Sequence, residues 1–489
     1  MNLVASDIYS LFRPSKCERR VFLRAHDEPE ADASEFDKLI EELGRRHETN
    51  HLARFPKVLD LSGGSLPSRA DRTLRAIEAN VEVIYQGVFQ ASLPATGDSI
   101  LGIPDFLVNG AAGYSIRDCK LSRHAGEGRH EEIVLQLQLY GWLYEQNLGK
   151  PPASLEVYLG DESTVELPYD GGTAALESLG RIARLSQLSE EPYSPVGWSK
   201  CSGCGFRDRC WKLAEQMHDV ALVYELDQGT AIALKEQGVT TVKGLIDRFD
   251  KDALAELKKP RGTKMVRVGT LAERILQQAE ALHSGKETLL HPLQLPEADN
   301  MVMFDLEGLP PQFDELDKVY LWGTQVYGTR PGNFIAALAD FGPEGDRIGW
   351  EQFLKNSRMI FDAYGDIPFI HWHHYETTKL KSYIERYGDP DVIARRVLDN
   401  CVDLLRITRD ALVLPEYSYS LKVIEKRAGF KRTMTDFGGD WSIVQYIRAV
   451  ETNDENLRNE IMSQILKYNE EDLKATWAVL LWLRTKGST

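Results

Sequence analysis

Apolar residues near the N-terminus recur every three to four positions. They do so in SDIYSLFRPSKCERRVFL (6–23) and in EFDKLIEELGRRHETNHLARF (35–55), which predicts helices over residues 1 to about 80. From about residue 83 the pattern shortens. VEVIYQGVF, ILGIPDFLV and YSIRDCK gather β-branched and aromatic residues between Gly, Pro and Asp breaks, and each predicts a strand. A helix then follows over HEEIVLQLQLYGWLYEQ (130–146). A strand pair comes next, LEVYLGD and TVELPY, then the helix TAALESLGRIARLSQL (173–188) and the loop WSKCSGCGFRDRCW (198–211).

Residues 220–285 predict a small helical module. LDQGTAIALKEQGVTTVKGLID (226–247) is patterned as helix, a turn at Gly238–Val239, a cap at Thr240 and a second helix. It resembles a helix-hairpin-helix unit, and such units hold a nucleic-acid backbone with turn amides and helix N-termini. A basic loop, KKPRGTKMVR (258–267), follows, and a packing linker with a solvated basic loop is the alternative reading. HPLQLPEADN (291–300) is a Pro-containing linker. Beyond it lie three predicted strands (MVMFDLEG, VYLWGTQVYG, NFIAALADF), the helix WEQFLKNSRMIFDAYG and the strand IPFIHW, with mainly helix to residue 483. That β-β-β-α-β-α order fits the RNase H-like fold.

Composition changes this picture little. With 489 residues the chain has room for two to four domains, and 43% hydrophobic with 27% charged residues is ordinary for a globular protein. No apolar run approaches the roughly 18 residues of a membrane span. MNLVASDIYS has neither the basic stretch nor the apolar run of a signal peptide, so the expected location is cytoplasmic. A net charge of −16 excludes a wholly basic nucleic-acid coat but not a nuclease, whose active sites are themselves rich in carboxylates.

The first set of candidate residues lies between 47 and 140. Asp105 ends an extended segment, and Asp118-Cys119-Lys120 lies on the next strand. Alternate strand residues share a face, so Asp118 and Lys120 point the same way and Asp105 can meet them from the neighbouring strand. Two carboxylates suit a divalent metal such as Mg2+ or Mn2+, and the lysine suits developing negative charge. These residues match the PD-(D/E)XK pattern, and the region resembles RecB-like nucleases. Gly44-x-x-His47 on the preceding helix and Gln136-x-x-x-Tyr140 on the following one complete that resemblance. It implies that His47 is a metal ligand and that Gln136 and Tyr140 line the site.

Six cysteines in a chain of this length are no disulfide framework. Cys17 together with Cys201-x2-Cys204-x5-Cys210 resembles the iron–sulfur staple of some RecB-like nucleases, in which four thiolates hold a [4Fe-4S] cluster. The resemblance implies a structural clip that closes a long loop. Tetrahedral Zn2+ and an unliganded set remain alternatives. Cys119 and Cys401 read as ordinary buried cysteines, free of ligand duty.

The second set lies between 305 and 472. Asp305-x-Glu307 shares one strand face, Glu376 begins the helix after IPFIHW, and Tyr468 and Asp472 lie one helical turn apart. The set resembles a DEDD exonuclease of the tyrosine type, and more closely the RNase H-like domain of YprB-type proteins. It implies two divalent ions held by Asp305, Glu307, Glu376 and Asp472, about 3.5–4 Å apart, with Tyr468 orienting the attacking water. The middle acid in that family is usually aspartate, and here it is Glu376. His371, His373 and His374 read as a solvated turn, and Asp403 as a weaker candidate for substrate positioning.

The sequence thus predicts an α/β protein with three parts. Residues 1–215 form a restriction-endonuclease-like PD-(D/E)XK domain with the cysteine staple, 216–290 a helix-hairpin-helix-like module, and 298–489 an RNase H-like exonuclease domain. The function expected is metal-dependent hydrolysis of DNA, at single strands or ends, in DNA repair or in defence against foreign DNA. Two alternatives stand beside it: an RNA or RNA–DNA hybrid exonuclease led by the C-terminal domain, and a nucleic-acid-binding platform for a partner helicase. No G-x-x-x-x-G-K-[ST] loop is present, so no ATP-driven motor is expected within the chain.

Overall fold

The computed structural model describes residues 2–126, 128, 130–262, 264–311, 313–314, 316–434 and 438–487. The chain divides into two compact units. One comprises Met1–Ser194 with Ser199–Cys210, and the other comprises Pro195–Trp198 with Trp211–Thr489.

The first unit is built on a six-stranded mixed sheet. In spatial order its strands are Leu59–Asp60, Val83–Tyr85, Phe106–Gly110, Gly113–Cys119, Ser154–Tyr158 and Thr164–Leu167. The hairpin Phe106–Gly110/Gly113–Cys119 sits at its centre with Phe106 opposite Arg117, so Asp105 and Asp118 fall at one end of adjacent strands. The helix Glu131–Leu148 is buried along almost its whole length, which explains its apolar character on all sides. Helix Glu35–Leu52 starts at a reciprocal cap. Ser34 Oγ accepts from Asp37 N at 3.1 Å and Asp37 Oδ2 accepts from Ser34 N at 3.0 Å. The first 80 residues are not all helix: Asn2–Val4 pairs in parallel with Ser99–Gly102 in a separate three-stranded sheet. Leu3 and Ile100, both fully buried, explain the pairing; three residues are too few for the period to show in the sequence.

The second unit holds a five-stranded sheet ordered Ile335–Leu338, Lys318–Gly328, Asn300–Leu309, Phe369–His371 and Cys401–Asp403. The first three strands are antiparallel and the last two run parallel to Asn300–Leu309. That is the β-β-β-α-β-α order read from the sequence, with one further short strand. Helix Gly342–Tyr364 begins eight residues before the predicted WEQFLK, because Pro343 occupies its first turn.

The helical module is part of the second unit. Its first helix, Gln228–Glu236, is capped by Asp227, and its second, Val242–Arg248, by Thr241 rather than the expected Thr240. Thr241 Oγ1 accepts from Gly244 N at 3.0 Å, while the carbonyl of Thr240 is spent on Val220 N. The stretch expected as a basic loop is a hairpin, Lys258–Arg261 against Lys264–Arg267. Lys259 is buried and donates to Asp227 Oδ2 at 2.5 Å, so it is not part of a solvated patch.

Candidate functional site

Strand geometry brings Asp105, Asp118 and Lys120 together. Asp105 Oδ2 accepts from Cys119 N at 2.8 Å, and its Oδ1 accepts from Gln86 Nε2 at 3.2 Å. Asp118 is buried and ion-paired with Lys120, yet its Oδ2 has no partner of good hydrogen-bond geometry. Burial, with Asp118 next to it, pushes the Asp105 carboxyl well above the usual carboxylate range. Burial works against the Lys120 ammonium, but Asp118, Tyr9 and Asp105 together hold it well above its ordinary range. Gln136 and Tyr140, one helical turn apart and both buried, are joined by a 2.9 Å bond from Gln136 Nε2 to Tyr140 Oη. The charges of Asp118 and Lys120 reach the Tyr140 phenol, so this pair lines the acids.

His47 stands differently. Its ring stacks on Tyr158 at 4.9 Å, with Nε2 3.4 Å from the Tyr158 carbonyl. Among the described residues, the ligand atoms of His47, Asp105 and Asp118 do not all lie within 4.8 Å of one another. Lys120 holds Asp118, Gln86 with the Cys119 amide holds Asp105, and His47 is engaged with Tyr158.

Two residues near these acids escaped the sequence reading. Glu48 Oε1 accepts from Tyr85 Oη at 2.7 Å and from Gln86 Nε2 at 2.9 Å, and its charge adds to that felt by Asp105. The Tyr9 hydroxyl is buried beside Lys120, whose Nζ lies 5.8 Å from the ring centre. Burial pushes its phenol up to about 12. Glu48 follows His47 directly, so the acid nearest the predicted ligand was visible in GRRHE; nothing in the sequence marks Tyr9.

The second cluster is tighter. Ligand atoms of Asp305, Glu307 and Asp472 all lie within 4.8 Å of one another, the one such group of three among the described residues. Asp305 and Glu307 lie on strand Asn300–Leu309, and Asp472 comes from helix Glu455–Gly487. Burial, then the mutual repulsion of the acids, pushes Asp305 well up and Glu307 to about 8. Burial also raises Asp472, against the pull of Arg432 and Lys422. Tyr468 packs beside them, its phenol driven up by burial and then by Asp472 and Glu307, so it stays a neutral hydroxyl. Asn469 Nδ2 donates to Asp305 Oδ2 at 2.7 Å. Asn469 reaches that oxygen because Gly323, paired opposite Asp305, has no side chain: a Cβ there would collide with Asn469 Oδ1.

Glu376 is close but outside this group. It is buried, with Oε2 3.3 Å from His371 Nδ1. His371 itself is buried on strand Phe369–His371, not part of a solvated turn; only His373 and His374 are exposed. Burial opposes its charge, but Cys401 and Glu376 raise its pKa to about 10. Asp403 is spent as a helix cap, accepting from Arg406 N at 3.0 Å. Arg432 is the principal residue the sequence reading missed. It donates to Asp472 Oδ1 at 2.5 Å and grips Glu425 with two bonds of 2.7 Å.

The four cysteines share one neighbourhood. Cys17 and Cys201 act electrostatically on Cys204, Cys17 on Cys210, and Lys200 lies among Cys17, Cys201 and Cys210. Burial raises the thiols of Cys204 and Cys210. The loop is tied to the segment that follows the second helix by Ala31 N donating to Gly205 O at 3.1 Å and by Arg209 pairing with Glu28 at 3.6 Å. Among the described residues no three of these sulfurs lie within 4.8 Å of one another. Cys119 and Cys401 are half-buried rather than buried, Cys119 beside Asp105 and Asp118 and Cys401 beside His371.

Residues 10–211 match the family model of the PD-(D/E)XK nuclease superfamily, and residues 302–484 match a model of the RNase_H superfamily. The chain is thus a mixed α/β protein carrying a PD-(D/E)XK nuclease domain and an RNase H-like domain. Both are nuclease superfamilies, which supports a nucleic-acid hydrolase and implies nucleic acid as its partner. No curated protein matches the chain. Among solved structures, that of SSO0001 is similar at 16% identity, covering 35% of this chain and 96% of that one; its TM-score of 0.20 supports no argument. No helix among the described residues is long and apolar enough to cross a membrane.

Proposed function

We propose that the chain is a metal-dependent nuclease that hydrolyses DNA phosphodiester bonds, at single strands or free ends, through one carboxylate site in each half. The observation that carries this reading is the convergence of half-buried Asp305 with the buried Glu307 and Asp472, three acids whose mutual repulsion calls for a cation. In the N-terminal half Asp105 and Asp118 would hold the ion, with Glu48 and His47 at hand from the helix behind. A divalent cation bound at such a site supplies Lewis acidity toward a phosphate oxygen and activates water.

The remaining work falls to the chain. Lys120, kept charged by Asp118, stabilises negative charge developing on the phosphate. Tyr140 and Gln136 present a fixed polar edge to it. In the second site Tyr468, held neutral, orients the attacking water, and Asn469 fixes the rotamer of Asp305. Both acid sets fit a hard, oxygen-seeking cation such as Mg2+ or Mn2+. For the four cysteines we propose a [4Fe-4S] cluster. Zinc at about 2.3 Å from each sulfur would bring the sulfurs to about 4 Å apart, closer than any three of them lie. The flanking Arg19 and Lys200 suit an anionic thiolate set. The biological setting proposed is DNA repair or defence against foreign DNA.

A second reading has its own support: the C-terminal acids are already gathered, whereas the N-terminal pair is neutralised by Lys120. That favours an exonuclease led by the RNase H-like domain, acting on RNA or RNA–DNA hybrids. Parallel assays on labelled DNA, RNA and hybrid, with Asp118→Ala and Asp305→Ala proteins, separate the two. DNA cleavage lost with Asp118→Ala supports the first reading. Preference for RNA or hybrid, lost only with Asp305→Ala, supports the second.

A further inference from the structure

We infer that the hairpin Lys258–Arg267 is an arm that holds single-stranded DNA, with Arg261 and Lys264 gripping phosphates at its tip and Met265 meeting an unstacked base. The inference takes from the proposed reading only that the substrate is a DNA strand.

KKPRGTKMVR (258–267) carries five cations and no acid, in a chain of net charge −16. The strand register sets Lys258 opposite Arg267 and Arg261 opposite Lys264. Like charges directly opposite destabilise a hairpin, and a bound polyanion removes that cost. Two of the five cations are already neutralised, Lys259 by Asp227 and Arg267 by Glu256 at 3.1 Å. Lys258, Arg261 and Lys264 are exposed and have no acid partner among the described residues. The turn of the helix-hairpin-helix-like unit offers less: its Gly238 and Val239 amides are spent on Lys235 O at 2.8 Å and Leu234 O at 2.9 Å.

The arm is firmly mounted. Buried Lys259 pairs with Asp227, the cap of helix Gln228–Glu236. Gly229 lets that helix come close, since a Cβ there would lie 2.2 Å from the Pro260 carbonyl oxygen. Val268 N donates to Leu257 O at 3.0 Å and closes the base of the hairpin. The helix that follows, Ala272–Ser284, is fixed to the RNase H-like domain: Arg274 Nη2 donates to Arg409 O at 2.7 Å and to Leu412 O at 2.8 Å. Binding to a preorganised arm loses little conformational freedom. The arginine fork matches phosphate oxygens in pairs, and Lys264 adds a point charge beside it. Met265, 61% exposed and opposite Pro260, sets an apolar surface among the cations. A duplex keeps its base faces stacked, whereas a single strand offers them to such a surface.

The test is the salt dependence of binding of the full chain to a fluorescent mixed-sequence DNA strand, read by anisotropy in EDTA. Each phosphate contact on a single strand contributes about 0.7 to the slope of log Kd against log salt. Arg261→Gln/Lys264→Gln is expected to lower the slope by about 1.4, which, for equal affinities at 1 M salt, is roughly 25-fold weaker binding at 0.1 M. Lys243→Gln/Lys251→Gln makes the same change of charge in the same module, at cations already paired with Asp247 and Glu273, and is expected to keep the parent slope. An unchanged slope in the tip variant, or an equal drop in the Lys243/Lys251 variant, overturns the inference. Met265→Ser is expected to keep the slope and to weaken binding of the single strand about threefold, with less effect on the matching duplex. Equal loss on strand and duplex overturns the single-strand assignment. Polyglutamate that displaces the labelled strand as well as unlabelled strand does, charge for charge, makes the partner an acidic polypeptide and also overturns it. Cleavage plays no part in this readout, so a failed arm and a failed nuclease reading are told apart.

Discussion

Asn469 and Asp305 are 164 residues apart in sequence and 2.7 Å apart in space, the amide of one holding the carboxylate of the other. The bond ties helix Glu455–Gly487 to the central strand of the RNase H-like sheet and sets the direction of an acid proposed to bind metal. Groups that orient a metal ligand typically matter by about 10–100-fold in affinity. Asn469→Ala is therefore expected to weaken Mn2+ binding at the C-terminal site by about that factor, measured by calorimetry in the Asp118→Asn background. Unchanged affinity would show that Asp305 needs no such support.

Gly323→Ala acts on the same bond from the other side. The added methyl collides with Asn469 Oδ1 and drives the amide off Asp305. Cleavage by the C-terminal site is expected to fall while circular dichroism stays close to that of the parent protein. If activity at that site is retained, the glycine is dispensable.

Much of this was legible in the sequence. Alternation places Asp305 and Glu307 on one strand face, and helical spacing places Tyr468 with Asp472, so the strand–helix pairing had only to bring two local patterns together. Asp105 and Asp118 were legible for the same reason, from adjacent strands. Arg432 was not. It lies outside regular structure, and its partners Glu425 and Asp472 are 7 and 40 residues away, a relation no periodicity carries. His371 was misread because three histidines around a tryptophan look solvated, whereas strand pairing with Asp403 puts the first of them in the interior. His47 shows the converse: the motif position is as expected, but its ring lies on Tyr158.

Glu307 gives a pH signature. Its folded-state pKa of about 8 stands above the roughly 4.3 of a free glutamate, so between those values the folded chain keeps a proton that the unfolded chain has lost. The associated stability is complete below pH ~4.3 and is lost as pH rises through about 8. Metal-free protein is expected to lose denaturant resistance between pH 6 and 8, with a smaller loss for Glu307→Gln. Equal losses in the two proteins would rule out Glu307 as the source.

The proposed iron–sulfur cluster predicts a colour. Protein purified without oxygen should be brown, and Cys17→Ser should remove the visible absorbance and lower the melting temperature, because the clip closes a long loop. A colourless protein with one bound zinc would contradict the cluster assignment.

The most direct measurement follows 5′- and 3′-labelled single-stranded DNA in Mg2+ or Mn2+ with unmodified protein, Asp118→Ala, Asp305→Ala and the double variant. Two acid-built sites predict cleavage that is metal-dependent, reduced or changed in product pattern by each single substitution, and absent from the double variant. Undiminished cleavage by the double variant, or cleavage that survives complete metal chelation, would contradict them.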